Sequence, residues 1–245
     1  MILREGGNVF KGPDGNPVTQ RINRADIEPT LDWVPGITGL PHNDFKLGTT
    51  GIKDTSGDLD IAVDPKDKEA VMAKLTAWCE KNGLNPKEWI RKAGVNIHFK
   101  TPIRGDEKNG FVQTDLMFGD QQWMMWSMKG VGGESPFKGK HRHLMMASIA
   151  KAKGMTWSFQ KGLIDRATRD VISQDPDKIA ELLLGPGSSG DDLDSVETIF
   201  AKVRNQPNAK ELTADARDAF SKDGLELPES VHYDKLEQMK ASAGL

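Results

Sequence analysis

The amino-acid sequence predicts an α+β protein, a mixed β-sheet joined to a mainly helical second lobe. Strand-like runs gather between residues 45 and 118, a single helical segment interrupts them, and beyond about residue 120 helix start and stop signals take over. This order suggests four parts: an irregular N-terminal arm over 1–44, a sheet-bearing lobe over 45–120, a helical lobe over 121–205 and an acidic C-terminal helical tail over 206–245.

The arm is rich in Gly, Pro and Asn, and Gly12-Pro13-Asp14-Gly15-Asn16-Pro17 is a turn signal that makes part of it hairpin-like. A short helix is expected near Ala25–Trp33. Phe45-Lys46-Leu47 reads as a strand stopping at Gly48, and Leu59–Val63 alternates like a half-buried strand. Asp64-Pro65 opens a helix, with Asp as cap and Pro in the first turn, and Val71, Leu75, Trp78 and Cys79 share one face as far as Gly83. Val95–Phe99 and Phe111–Met117 are further strands, joined by the polar turn Arg104–Gly110. Downstream, helices are expected over His143–Lys153, ended by Gly154, from Asp175-Pro176 through Leu184, and over Leu193–Arg204. Gly185–Gly190 is a loop, and Ser230 is a candidate cap for a final helix.

Composition bounds the function. The 245 residues are 37% hydrophobic and 28% charged, sufficient for one enzyme unit of two lobes. No stretch approaches the ~20 apolar residues that cross a bilayer, and Met1–Gly6 lacks the apolar block of a secretory signal, so a soluble, cytoplasmic protein without membrane partners is expected. Cys79 is the only cysteine, which excludes an intramolecular disulfide or a Cys-rich zinc site and leaves a core role for it. A formal net charge of −3 argues against coating long nucleic acid, though not against contact with an end.

The chemistry concentrates on carboxylates. Asp58 and Asp60 lie two apart on a strand, so both side chains share one face. Two like charges so placed repel, and a divalent cation relieves the cost; magnesium, or manganese, suits a carboxylate oxygen set. Asp115 interrupts the apolar run Val112–Phe118, where a role as third metal ligand accounts for it. Immediately upstream, Gly48-Thr49-Thr50-Gly51-Ile52-Lys53-Asp54-Thr55-Ser56-Gly57 offers backbone N–H groups and hydroxyls suited to phosphate oxygens. Phosphate beside paired carboxylates implies a metal-bound triphosphate.

Gly48-Thr49, then Ser56-Gly57-Asp58-Leu59-Asp60, then Asp115 resemble the polymerase β-like nucleotidyltransferase superfamily, and look closest to a family X DNA polymerase. Phe137-Lys138-Gly139, His143, Ile149–Gly154, Gly162-Leu163 and Ile179–Gly185 extend the similarity to about residues 45–186. The resemblance implies a palm of nucleotidyltransferase type and a thumb-like helical lobe, with Asp58, Asp60 and Asp115 as catalytic metal ligands. It further implies that Gly48, Thr49, Thr50, Ser56 and Gly57 bind phosphates, that Phe137 and Gly139 lie against the sugar and that His143 lies near the base. Pro136 and His143 replace the family's usual Tyr and Asn, and Lys53 is the nearest cation where the family has a loop arginine. Only the arm precedes Gly48, so the lyase domain of templated gap repair is not expected.

The activity implied is transfer of a nucleoside monophosphate from a triphosphate to a nucleic-acid 3′-hydroxyl, by short or untemplated additions. Two ions are expected, one held by all three aspartates and one by Asp58 and Asp60, with Asp115 as base or base-orienting group. Transfer to a protein or small molecule keeps the same carboxylates; an inactive nucleotide-binding scaffold does not require them. Met117, Met124, Met125, Met128, Met145 and Met146 with Trp123 and Trp126 read as core in preference to a base-stacking surface. His98 reads as solvated, and His141 with His143 lacks the third ligand that a metal pair would want.

Overall fold

The computed structural model describes residues 8–130 and 135–227, and the fold is α+β. The chain divides into two compact units, Met1–Gly132 and Gly133–Leu245. No helix among the described residues is long and apolar enough to cross a membrane.

The first unit contains β1 (Ile22–Asn23), α1 (Arg24–Trp33), α2 (Pro35–Thr38), β2 (Thr55–Ser56), β3 (Asp58–Val63), α3 (Lys68–Lys81), α4 (Pro86–Trp89), β4 (Ile90–Ala93), β5 (Asn96–Pro102), β6 (Phe111–Phe118) and α5 (Gln121–Ser127). Its main sheet has the order β3-β6-β5-β4, with β3 parallel to β6 and the other pairs antiparallel. Residues directly opposed on neighbouring strands face the same side. One side therefore carries Leu59, Ile61, Val63, Ile97, Phe99, Val112, Leu116 and Phe118, and these pack with Val71, Leu75 and Cys79 of α3 and with Ile27 and Leu31 of α1. Asp64 caps the start of the α3 segment as expected, its carboxylate accepting from Lys66 N–H at 3.0 Å.

The opposite side carries Asp58, Asp60, His98, Gln113 and Asp115. Part of it is covered by the arm: Val9 N–H donates to Gln113 Oε1 at 2.9 Å, and Phe10 is buried beneath the Arg91 guanidinium. The expected hairpin is there, with Lys11 bridged to Pro17. From Asn8 onward the arm is thus an integral part of the first unit.

Several expectations change. Phe45–Leu47 is not a strand: Asn43–Phe45 is a turn of 3-10 helix, after which Lys46 bridges Ile61 and Leu47 N–H donates to Asp60 O at 2.8 Å. The positive φ of Gly48, 59°, ends this short edge pairing. β4 was hidden because only Ile90 of its four residues is buried, as befits an edge strand. α5 also falls in the first unit, capped by Asp120, whose carboxylate accepts from Trp123 N–H at 2.8 Å.

The second unit is not purely helical after its start. It contains α6 (Gly139–Ala152), then a three-stranded antiparallel sheet of β7 (Met155–Ser158), β8 (Gly162–Asp165) and β9 (Val171–Ser173). These strands are three or four residues long, too short for period-two alternation to register in the sequence. α7 (Pro176–Leu184), α8 (Val196–Val203), α9 (Ala209–Leu212) and α10 (Ala214–Lys222) complete it. Ile149, Leu163, Ile179, Leu183, Val196, Ile199, Val203 and Phe220 are among its buried side chains. The helix expected from Ser230 lies outside the described residues.

Candidate metal centre

Asp58 and Asp60 stand on β3, and parallel register sets Asp60 directly opposite Asp115 of β6. The period-two spacing puts the first two on one face and the register adds the third. One carboxylate oxygen from each lies within 4.8 Å of the others, the one such cluster of three or more metal-ligating side chains among the described residues.

The electrostatics are unfavourable as they stand. Burial and the Asp115 carboxylate push the Asp58 pKa up to about 6, against a smaller downward pull from Arg21. Burial, with Asp58 and Asp115 as neighbours, raises Asp60 well above the ordinary carboxylate range. A pair of such shifts marks a place where negative charge is held at a cost that a cation would remove. The donor set is all carboxylate oxygen, which fits a hard divalent ion such as Mg2+ or Mn2+.

Asp115 has a partner of its own. The antiparallel register pairs His98 of β5 with it, and His98 Nδ1–H donates to Asp115 Oδ1 at 2.6 Å. His98 is 8% exposed, so the expectation of a solvated histidine is corrected. The register that sets position 98 against 115 comes from the fold, in which Pro102 pairs with Phe111. Holding Oδ1 leaves Oδ2 as the oxygen for a metal, the arrangement by which outer residues orient ligands.

The glycine-rich loop adjoins these aspartates. A Cβ on Gly48 would lie 3.6 Å from Asp60 Oδ2. Gly48 N–H donates to Met128 O at 2.9 Å, and Gly130 approaches so closely that a Cβ there would collide with Gly48 O, at 2.3 Å. Thr50 is buried, and its hydroxyl accepts from Asp60 N–H at 3.2 Å, tying loop to strand. Thr49 is half-buried, Lys53 and Gly57 are exposed, and Ser56 Oγ is buried with no hydrogen-bond partner. From the arm, Arg24 N–H donates to Asp54 O at 2.8 Å and its Nη1 donates to Ile52 O at 3.1 Å.

Phe137, Gly139 and His143 belong to the second unit. Phe137 is 4% exposed, its ring centroid 5.2 Å from that of Phe220, so it offers no open face to a sugar. Gly139 begins α6 and is half-buried. His143 is half-buried, stacks on Trp157 and accepts at Nδ1 from Trp157 Nε1–H at 3.0 Å. Burial, aided by Arg142, lowers its pKa to about 4, so it is neutral near pH 7. His141 accepts at Nδ1 from Lys138 N–H at 2.8 Å and donates from Nε2 to Asp223 at 3.0 Å, which commits both ring nitrogens and removes the His141–His143 metal pair.

No protein-family model matches this chain, and no curated protein matches it.

Proposed function

We propose that this chain is a nucleotidyltransferase that moves a nucleoside monophosphate from a nucleoside triphosphate to an acceptor hydroxyl, in the first instance the 3′-hydroxyl of a nucleic-acid end. One observation carries the reading: Asp58, Asp60 and Asp115 converge from two parallel strands beside a loop rich in glycine and hydroxyl side chains. Structural carboxylates are paired with cations or donors, whereas Asp58 and Asp60 are raised first by burial and then by the carboxylates beside them, Asp115 for Asp58 and both Asp58 and Asp115 for Asp60.

In this reading Asp58, Asp60 and Asp115 hold Mg2+ or Mn2+. A bound divalent ion would supply charge neutralisation for the phosphates and a lower pKa for the acceptor hydroxyl. The residues of the chain do the rest. The loop from Gly48 to Gly57 holds phosphate oxygens with N–H groups and the Thr49 hydroxyl. The acceptor oxygen bonds to the α-phosphorus as the bond to the pyrophosphate bridging oxygen breaks, and the hydroxyl proton leaves toward Asp115. His98 keeps that carboxylate turned to the acceptor by occupying its other oxygen.

The test is incubation with each labelled ribo- and deoxyribonucleoside triphosphate, Mg2+ or Mn2+, and a mixture of RNA, DNA and protein. Lengthening of oligonucleotides by a few labelled nucleotides, blocked by a 3′-deoxy end, is expected. Label in protein or a small product with all oligonucleotides unextended would move the acceptor assignment and keep the transfer chemistry. No transfer to anything would overturn the reading.

A further inference from the structure

Gly57 stands between Ser56 and Asp58, yet its backbone is not in the left-handed region that calls for glycine. A Cβ at Gly57 would come within 3.3 Å of Arg21 Nη1, tighter than most real contacts of that atom. Arg21 reaches this place because the arm is stitched to the loop, β1 pairing with β2 through Ile22 with Ser56 and Asn23 with Thr55.

The guanidinium is fixed along one edge. Nε and Nη2 donate to Thr55 Oγ1 at 3.2 and 2.9 Å, and Nη2 also donates to Thr55 O at 3.1 Å. Nη1, the nitrogen at Gly57, takes no part in these bonds. The side chain is exposed, and its charge acts on Asp58. The neighbouring Ser56 is paired with the buried Ile22 and faces inward, so the guanidinium and the Asp58 carboxylate are what this edge presents outward. An exposed planar cation anchored on one edge, with donors left at the other, is the geometry that recognises phosphate oxygens.

We propose that Arg21 is an anion-binding residue of this site, gripping the phosphate groups of the nucleotide and the pyrophosphate released from it. This rests on the three aspartates being a metal centre that acts on a triphosphate. Once a divalent cation sits among those carboxylates, the negative charge that Arg21 balances is neutralised, and its remaining N–H groups call for an anion. The irregular arm is then part of the substrate site, contributing the cation that the loop itself supplies only as the exposed Lys53.

A plain counter-charge role for Arg21 differs in what it demands of anions. It would ease the carboxylates in the absence of metal and oppose cation binding, so its removal would tighten Mg2+ and leave anions untouched. Calorimetric titration with Mg2+ alone and with inorganic pyrophosphate plus Mg2+ separates the two, using the wild type, Arg21→Gln and Arg21→Lys. Because the side chain is exposed, both variants should fold, as ligand-free melting will show. The proposal expects Arg21→Gln to bind magnesium pyrophosphate about tenfold more weakly, with Arg21→Lys in between and Mg2+ alone bound at least as tightly as by the wild type. Magnesium pyrophosphate bound equally by Arg21→Gln and wild type would overturn it. So would a wild type that binds Mg2+ and no pyrophosphate, with the metal centre surviving. A wild type that binds neither would remove the metal reading together with the role of Arg21.

Discussion

Each unit of this molecule buries a group of titratable side chains, and the two groups are built on opposite principles. In the second unit the buried groups have partners of opposite character: His141 joins Lys138 N–H to Asp223, Trp157 donates to His143, and the fully buried Arg142 donates from Nε to Leu193 O with Asp194 as its charge partner. In the first unit burial and neighbouring carboxylates raise Asp58 and Asp60, while Asp115 has a hydrogen-bonded partner in His98. Polar groups that satisfy each other explain themselves as packing. Groups that repel each other at a buried position are candidates for a binding site.

The sharpest way to break this contrast is to neutralise one aspartate. Asp60→Asn should cut nucleotidyl transfer by roughly a thousandfold or more, since positioned charge supplies most of such catalysis. Metal-free melting should stay level or rise, because a repulsive charge has gone. Activity near the wild-type value in a folded Asp60→Asn protein would sink the assignment.

His141→Ala should show the reverse pattern. His141 is 1% exposed and supplies the side chain that reaches back to the backbone N–H of Lys138, the cap residue of α6. Its loss should destabilise the second unit by about 2–3 kcal/mol through the cavity and the lost cap, with Mg2+ affinity unchanged. Weaker Mg2+ binding in a folded His141→Ala protein would show that the two groups are not independent.

A smaller effect is expected where the first group is best satisfied. His98→Phe should weaken Mg2+ or Mn2+ binding about tenfold by freeing Asp115 to rotate, and His98→Asn, which can present an N–H in a similar place, should recover part of the loss. Equal affinity in His98→Phe and wild type would mean that the 2.6 Å contact is packing alone.

The sequence carries the first of these groups more plainly than the second. Asp58 and Asp60 announce themselves because period-two spacing fixes their shared face, and Asp115 does so as a charge inside an apolar run; only the strand register needed the fold. His98 needed that register too, since its own spacing places it equally well facing water. Arg21 left no signal, because the pairing of two-residue strands β1 and β2 is set by tertiary contacts. Helices with Asp caps, at Asp64 and Asp175, were readable from local chemistry, while β7, β8 and β9 were too short to show a period. Phe137 shows the opposite hazard: a family-like motif pointed to a sugar, and the ring packs against Phe220.

Binding of Mn2+, followed by its paramagnetic resonance signal in the presence of a nucleoside triphosphate, tests the metal centre most directly. Protons compete with metal for carboxylates. With the Asp58 pKa raised to about 6 and Asp60 higher than an ordinary carboxylate, occupancy should be low at pH 5 and should rise as pH increases through 6 toward 8. Asp115→Asn should weaken binding at every pH, whereas His141→Ala should follow the wild-type curve. Binding that ignores both pH and Asp115→Asn, or no binding by the wild type at pH 8, would contradict the account.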